Sequence, residues 1–173
     1  DVHEYSPYDG EWEKYGYRKN LDVTVGAMTN INISEDLRKF SYENYLPYAF
    51  NFVHKKGFSV FHYMPGGPPE KDYIRYSTFD INDGRQSMGI QNSFSFIQEG
   101  LNGKDNFADN IKHRAEGQMT GMLALLYFTY ENKNNIKSLV EGERKKLTSG
   151  SVSPKAAIQL DHFSDGSKLE LPL

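Results

Sequence analysis

The chain has 173 residues, 38% of them hydrophobic and 14% aromatic, and its formal net charge at pH 7 is -3. This length is enough for one buried core, and the near-neutral charge supplies no overall field that would attract nucleic acid or an acidic membrane surface. The chain has no cysteine, so disulfides, thiolate nucleophiles and zinc sites with cysteine ligands are excluded, and a metal could be held only by His, Asp or Glu.

The aromatic side chains near the start predict a segment that lies against the body of the protein. Residues 5 to 17 contain four tyrosines and Trp12 between charged residues and show no clean period. The first residue is Asp1, which favours a processed protein or a domain cut from a longer one. The longest strongly apolar stretch, MLALLYF at 122 to 128, is far shorter than the roughly 20 residues of a membrane-spanning helix.

Alternation of apolar and polar residues over 22 to 33 predicts a strand. Ser34 then has the character of a helix N-cap, and Pro47 is expected to break or restart that helix before it ends near Gly57. The stretches FSVFHYM at 58 to 64 and YIRYSTFDI at 73 to 81 predict a hairpin pair, and a third strand follows over about 85 to 98.

A change to helical spacing predicts a long helix from Asp105 to about Tyr130, followed by a shorter helix that ends before Gly150. We therefore predict one α+β domain with a mainly antiparallel sheet, covered on one face by helices near 35 to 56 and 105 to 147. The single domain spans residues 1–173. Its predicted parts are the aromatic segment 1–21, the strand-rich part 22–100, the helical part 105–147 and a C-terminal hairpin 155–172.

The best candidate for chemistry is the stretch KDNFADNIKHRAEG at 104 to 117. A spacing of four residues places Asp105, Asp109 and His113 on one face of the predicted helix. Asp109 and His113 could act as an acid-base pair or bind a divalent cation, with Asp105 orienting them and Arg114 holding an anion. An ordinary capped helix start, with an Asp109–His113 pair worth about 0.3 to 0.5 kcal/mol, is the alternative interpretation.

Within this stretch, DNFADNIKHR resembles the Asp, aromatic, Asp and His-Arg cluster of the colicin M type bacteriocins, which degrade lipid II. The resemblance covers about ten residues and implies cleavage of a lipid-linked diphosphate. From the residues themselves we predict a hydrolase acting on a phosphate-containing substrate, with an antibacterial toxin or effector role as the working hypothesis. Such a protein would be secreted or delivered by a bacterium and would pair with an immunity or carrier protein.

Two further residues could serve the same site. His62 shares its strand parity with Phe58 and Val60, so a core histidine is the favoured interpretation, and a partner for His113 is the alternative. Arg75 is predicted to clamp a phosphate or carboxylate.

Two other functions stay open. The residues that could cleave RNA without metal by acid-base chemistry are His62, His113, Arg114, Thr129 and Tyr130. The near-neutral surface gives no strong nucleic-acid signal. Exposed tyrosines and Trp12 are also typical of a protein- or carbohydrate-binding module without catalytic activity.

Overall fold

The fold is taken from a computed structural model, which describes residues 2–6, 10–17, 20–102, 110–152 and 155–170. The strands are β1 (Val2–Tyr5), β2 (Val23–Gly26), β3 (Val60–His62) and β4 (Ile97–Leu101). The helices are α1 (Gly10–Lys14), α2 (Glu35–Phe40), α3 (Leu46–Lys55), α4 (Gly84–Gly89), α5 (Ile111–Glu131) and α6 (Lys133–Thr148). These elements confirm the α+β class with a single sheet.

The sheet is mixed, with the strand order β1-β4-β2-β3. β1 pairs with β4 and β2 pairs with β3 in parallel, while β2 and β4 are antiparallel. The prediction of a mainly antiparallel sheet was therefore wrong. Parallel neighbours need a crossover connection, and the helical stretch from α2 to α3 supplies one between β2 and β3.

One face of the sheet, here called the helix face, carries the main core. Val23 and Val25 of β2 are fully buried there with Ala49 and Val53 of α3 and Ala124 of α5. Small residues of α5 contact the sheet. A Cβ on Gly121 would overlap the Gln98 side chain, so this helix lies close to the strands. Several large apolar residues of α5 therefore face outwards, including Met119, Met122 and Leu126.

The predicted meander in the middle of the chain is not formed. The chain from Tyr73 to Asp80 runs without regular structure apart from an isolated bridge at Ile74. α4 follows, because the Asp83 carboxylate accepts hydrogen bonds from the backbone N–H groups of Arg85 and Gln86. This local N-cap outweighs the apolar alternation that predicted a strand.

The helical region after β2 largely matches the sequence. Ser34 caps α2, where its side chain accepts a hydrogen bond from the Leu37 N–H. A π-helical turn over Ser41–Tyr45 joins α2 to α3, and Pro47 lies in the first turn of α3. The Leu46 N–H donates to the Ser41 carbonyl in π-helical spacing, and this change of spacing just before Pro47 accommodates the missing proline N–H without ending the helix. The chain therefore stays helical through Pro47.

Beyond α6 the structure differs from the predicted hairpin. Residues 155–170 contain no strand and run in an irregular course over the surface. Within the described ranges, no helix has the length and apolar content needed to cross a bilayer.

Candidate functional site

Two residues of the site predicted on this helix, His113 and Arg114, are described by the structure. Asp105 and Asp109 lie outside the described residues. His113 lies in the first turn of α5, and its ring is half exposed. Its Nε2 atom lies 2.6 Å from Oδ1 of Asp22, just before β2. The ring also packs on Phe58, with 5.0 Å between the ring centroids. Sequence patterns did not identify Asp22 as a partner of His113, because the two residues are 91 positions apart.

Asp22 is held from its other side by Ser59. The Ser59 N–H donates to Oδ2 of Asp22 over 2.8 Å, and the Ser59 hydroxyl donates to the same atom over 2.9 Å. Burial opposes ionisation, but these bonds and the His113 contact outweigh it and hold the pKa of Asp22 below its ordinary value. The carboxylate therefore orients an exposed imidazole, which is the arrangement of a general base with its positioning acid.

Asp22 also links stability to pH. Because its folded-state pKa is lowered, its contribution is present above the ordinary carboxyl range near pH 3.9 and is lost as the pH falls through the folded value. We expect Asp22→Asn to lower the free energy of unfolding by about 1 to 3 kcal/mol at pH 7, since it loses hydrogen bonds to a charged group. The deficit should shrink as the pH falls to 3.

Urea unfolding from pH 7 to pH 3 measures this effect. Asp36→Asn is the control, because that carboxylate is exposed. Its ion pair with the Lys146 ammonium at 3.4 Å contributes little to stability in water. A deficit for Asp22→Asn that stays constant over the whole range would contradict the assignment.

Arg114 does not face solvent. Its side chain is 6% exposed, and Nε donates to the Leu101 carbonyl over 3.1 Å. One terminal nitrogen donates to Glu4 over 2.9 Å and to the Asn102 amide oxygen over 2.7 Å. These bonds tie α5 to β1 and to the end of β4. The predicted role of Arg114 as an anion clamp would compete with them.

Arg75 is also engaged within its own loop. Its Nη1 atom donates to the Asp72 carboxylate over 2.7 Å, and its guanidinium lies 5.7 Å from the ring centroid of Tyr73. The side chain is one third exposed, so an anion could reach it only in competition with Asp72.

His62 packs among aromatic rings on the helix face. Its neighbours include Phe50 at 4.8 Å, Tyr76 at 5.7 Å and Tyr42 at 6.4 Å between ring centroids. Burial lowers the pKa of His62. Its Nδ1 atom is buried and has no hydrogen-bond partner among the described residues. This environment fits the interpretation as a core histidine.

The proposed binding role of Trp12 meets a clear obstacle. Trp12 lies in α1 and is 2% exposed. Its ring lies edge-on to Tyr17 and directly against Gly67, where a Cβ would overlap it. Trp12 is therefore a packing residue in this structure, and its role in binding a substrate stays a prediction.

Of the predicted cation site at Asp109 and His113, only His113 lies within the described residues. Among the residues that the structure describes, no group of three or more His, Asp or Glu side chains could hold a metal ion. Asp22 and His113 alone provide two donors.

The second face of the sheet, opposite the helix face, carries a cluster that the sequence did not reveal. Register pairs Phe61 with Thr24, Thr24 with Glu99, and Glu99 with His3. These four side chains therefore form a row across the strands, with about 5 Å between neighbours. His3 is exposed and Glu99 half-buried. The Thr24 hydroxyl is buried without a hydrogen-bond partner among the described residues.

A phenol and a guanidinium lie beside this row. Tyr63 continues from β3 next to Gly26, where a Cβ would come within 2.9 Å of the Tyr63 Cβ. Burial raises the pKa of Tyr63, and the charge of Glu99 raises it further, so the phenol stays protonated at neutral pH. The Arg85 guanidinium lies 5.5 Å from the Tyr63 ring and donates to Ser77 over 2.6 Å.

The sequence held only a weak signal for this cluster. The segment IQEGL places Glu99 in the middle of a stretch that begins with Ile97 and ends with Leu101, and HEY places His3 near the start of the chain. Only the strand register brings the two together. Comparisons of the chain with protein-family models, curated proteins and solved structures find no match.

Proposed function

We propose that the protein is a hydrolase whose reaction centre is the second face of the sheet. The observation that supports this is the row in which His3, Glu99 and Thr24 are neighbours on three paired strands. Side chains on paired strands are held more firmly than side chains on loops. A carboxylate beside an exposed imidazole is suited to activating water, and Thr24, whose hydroxyl is buried, only spaces the row.

In this proposal Glu99 is the general base. Its carboxylate takes a proton from a water molecule while the water oxygen bonds to the carbonyl carbon or phosphorus of the substrate. The bond from that atom to the leaving group then breaks, and the leaving group departs with the proton that Glu99 had taken up. His3 lies next to Glu99 and is placed to contact the reacting group. Tyr63 keeps its proton, as its raised pKa requires, and can donate a hydrogen bond to an oxygen that gains negative charge.

Arg85 lies against Gly26 and the Tyr63 ring on the second face of the sheet. It is fully buried, and its Nη2 atom bonds both Ser77 and Asp83. Its position against the Tyr63 ring fixes the phenol. We therefore assign Arg85 a positioning role.

A second candidate keeps the phosphate-containing substrate proposed from the sequence. The half-exposed His113, oriented at 2.6 Å by Asp22, is the observation that favours it. In that version His113 is the base, and the roles of Asp105, Asp109 and Arg114 and the antibacterial effector function remain proposals from the sequence alone.

A panel of probes tests the two candidates. It contains 4-nitrophenyl phosphate, bis(4-nitrophenyl) phosphate, 4-nitrophenyl acetate and an N-acylated dipeptide with a free carboxylate, each with a chelator and with added Zn²⁺ or Mg²⁺. We expect turnover of at least one probe, with a loss of tenfold or more in His3→Ala that exceeds the loss in His113→Ala. The reverse order, on a phosphate ester, supports the second candidate. No turnover by the wild type contradicts both and favours a binding module.

A further inference from the structure

The described part of the segment after α6, residues 155–170, meets the loops after β2 and β3 between residues 157 and 162. Between residues 155 and 163, Ala157, Leu160 and His162 are half-buried, whereas Ile158 is 100% and Phe163 87% exposed. No strand or helix forms within residues 155–170. Such sparse contact gives a segment low local stability, so it can detach without unfolding the domain.

The first contact is directed at the backbone. The Asn32 amide donates from Nδ2 to the Ala157 carbonyl over 2.8 Å, and Oδ1 accepts from the Ala157 N–H over 2.8 Å. Both backbone groups of one residue are thus paired with a side chain of the loop after β2. This mode recognises an extended peptide with little regard to its side chains, as strand addition does.

The second contact is directed at a side chain. Nε2 of His162 lies 2.9 Å from the Tyr76 carbonyl oxygen, which can only accept, so that nitrogen carries the hydrogen. The His162 ring packs against Phe79 with 4.9 Å between centroids. The loop beneath is itself fixed, because the Phe79 carbonyl accepts from the Asn30 amide over 2.8 Å. A preformed surface therefore receives the imidazole.

We propose that Asn32, the Tyr76 carbonyl and Phe79 form a docking site for an extended peptide, which residues 157–162 occupy reversibly within the same chain. The site binds both backbone groups of the residue opposite Asn32 and, five positions later, a ring with an N–H donor. Release of the segment would uncover the site beside the loop 73–80, which carries Ser77 and borders the candidate centre at Arg85. The docking proposal does not depend on the hydrolase proposal.

The test uses the full chain and a labelled peptide of residues 155–170, with binding followed by fluorescence anisotropy. In the wild type the tethered segment competes at an effective concentration in the millimolar range. We expect His162→Ala to weaken that competitor, so that the peptide binds at least tenfold more tightly than to the wild type. Adding Asn32→Ala to that variant should abolish binding, because it removes the receptor amide. Ile158→Ala, at a fully exposed position, should bind like the wild type.

Two results would overturn the proposal. One is peptide binding that is the same in His162→Ala and the wild type, or that survives Asn32→Ala, with both variants folded by circular dichroism. The other comes from hydrogen exchange of the unlabelled wild type. If the Ala157 amide exchanges as fast as in an unstructured peptide and does not respond to Asn32→Ala, the segment is not docked.

Discussion

Glu99→Gln should lower the rate of hydrolysis by about 10² to 10⁴-fold, the usual contribution of a positioned general base. Glutamine has the same shape but cannot take a proton from water at neutral pH. Its neighbours His3 and Thr24 in the register stay in place, so the loss should appear in kcat more than in KM.

Glu43→Gln is the matched control, since Glu43 is an exposed carboxylate in the π-helical turn. Both variants should melt close to the wild type. If Glu99→Gln keeps a rate within a few fold of the wild type on the probe that is turned over, Glu99 is not the base. The His113–Asp22 pair then becomes the better candidate.

The parts of the fold that the sequence predicts well depend on neighbours along the chain. The Ser34 cap and the alternation around Val23 and Val25 are of this kind, because capping and strand period act over a few residues. The direction of strand pairing is different. Whether two strands pair in parallel depends on which connections pack over the sheet as crossovers. The helices between β2 and β3 form such a crossover, and this packing exists only in the folded chain.

Contacts between residues that are far apart in the sequence also determine the candidate site. Spacing by four residues identified His113 as a side chain worth attention, yet the carboxylate that orients it comes from Asp22, 91 residues earlier. His3 and Glu99 meet only through the register of β1 and β4. Local pattern finds the residue types of a site, but long-range pairing decides which of them become neighbours.

Trp12 shows most clearly how burial changes an interpretation. We expect Trp12→Ala to lower the free energy of unfolding by about 3 to 5 kcal/mol, as is usual when a buried aromatic side chain is truncated. For a chain of this size the melting temperature should fall by roughly 6 to 20 °C. The physical reason is that the ring is 2% exposed and fills the space above Gly67 beside Tyr17.

Tyr15→Ala is the control from the same segment, because Tyr15 is 41% exposed and its loss should cost less than about 1 kcal/mol. Thermal unfolding of the two variants measures the difference. If Trp12→Ala melts with the wild type, the ring is not packed and an aromatic binding surface at residues 10–17 becomes plausible again. If it is destabilised as expected, a loss of biological effect in Trp12→Ala reports unfolding. The binding-module hypothesis must then be tested at exposed rings such as Tyr15 and Tyr130, which can be removed without opening the core.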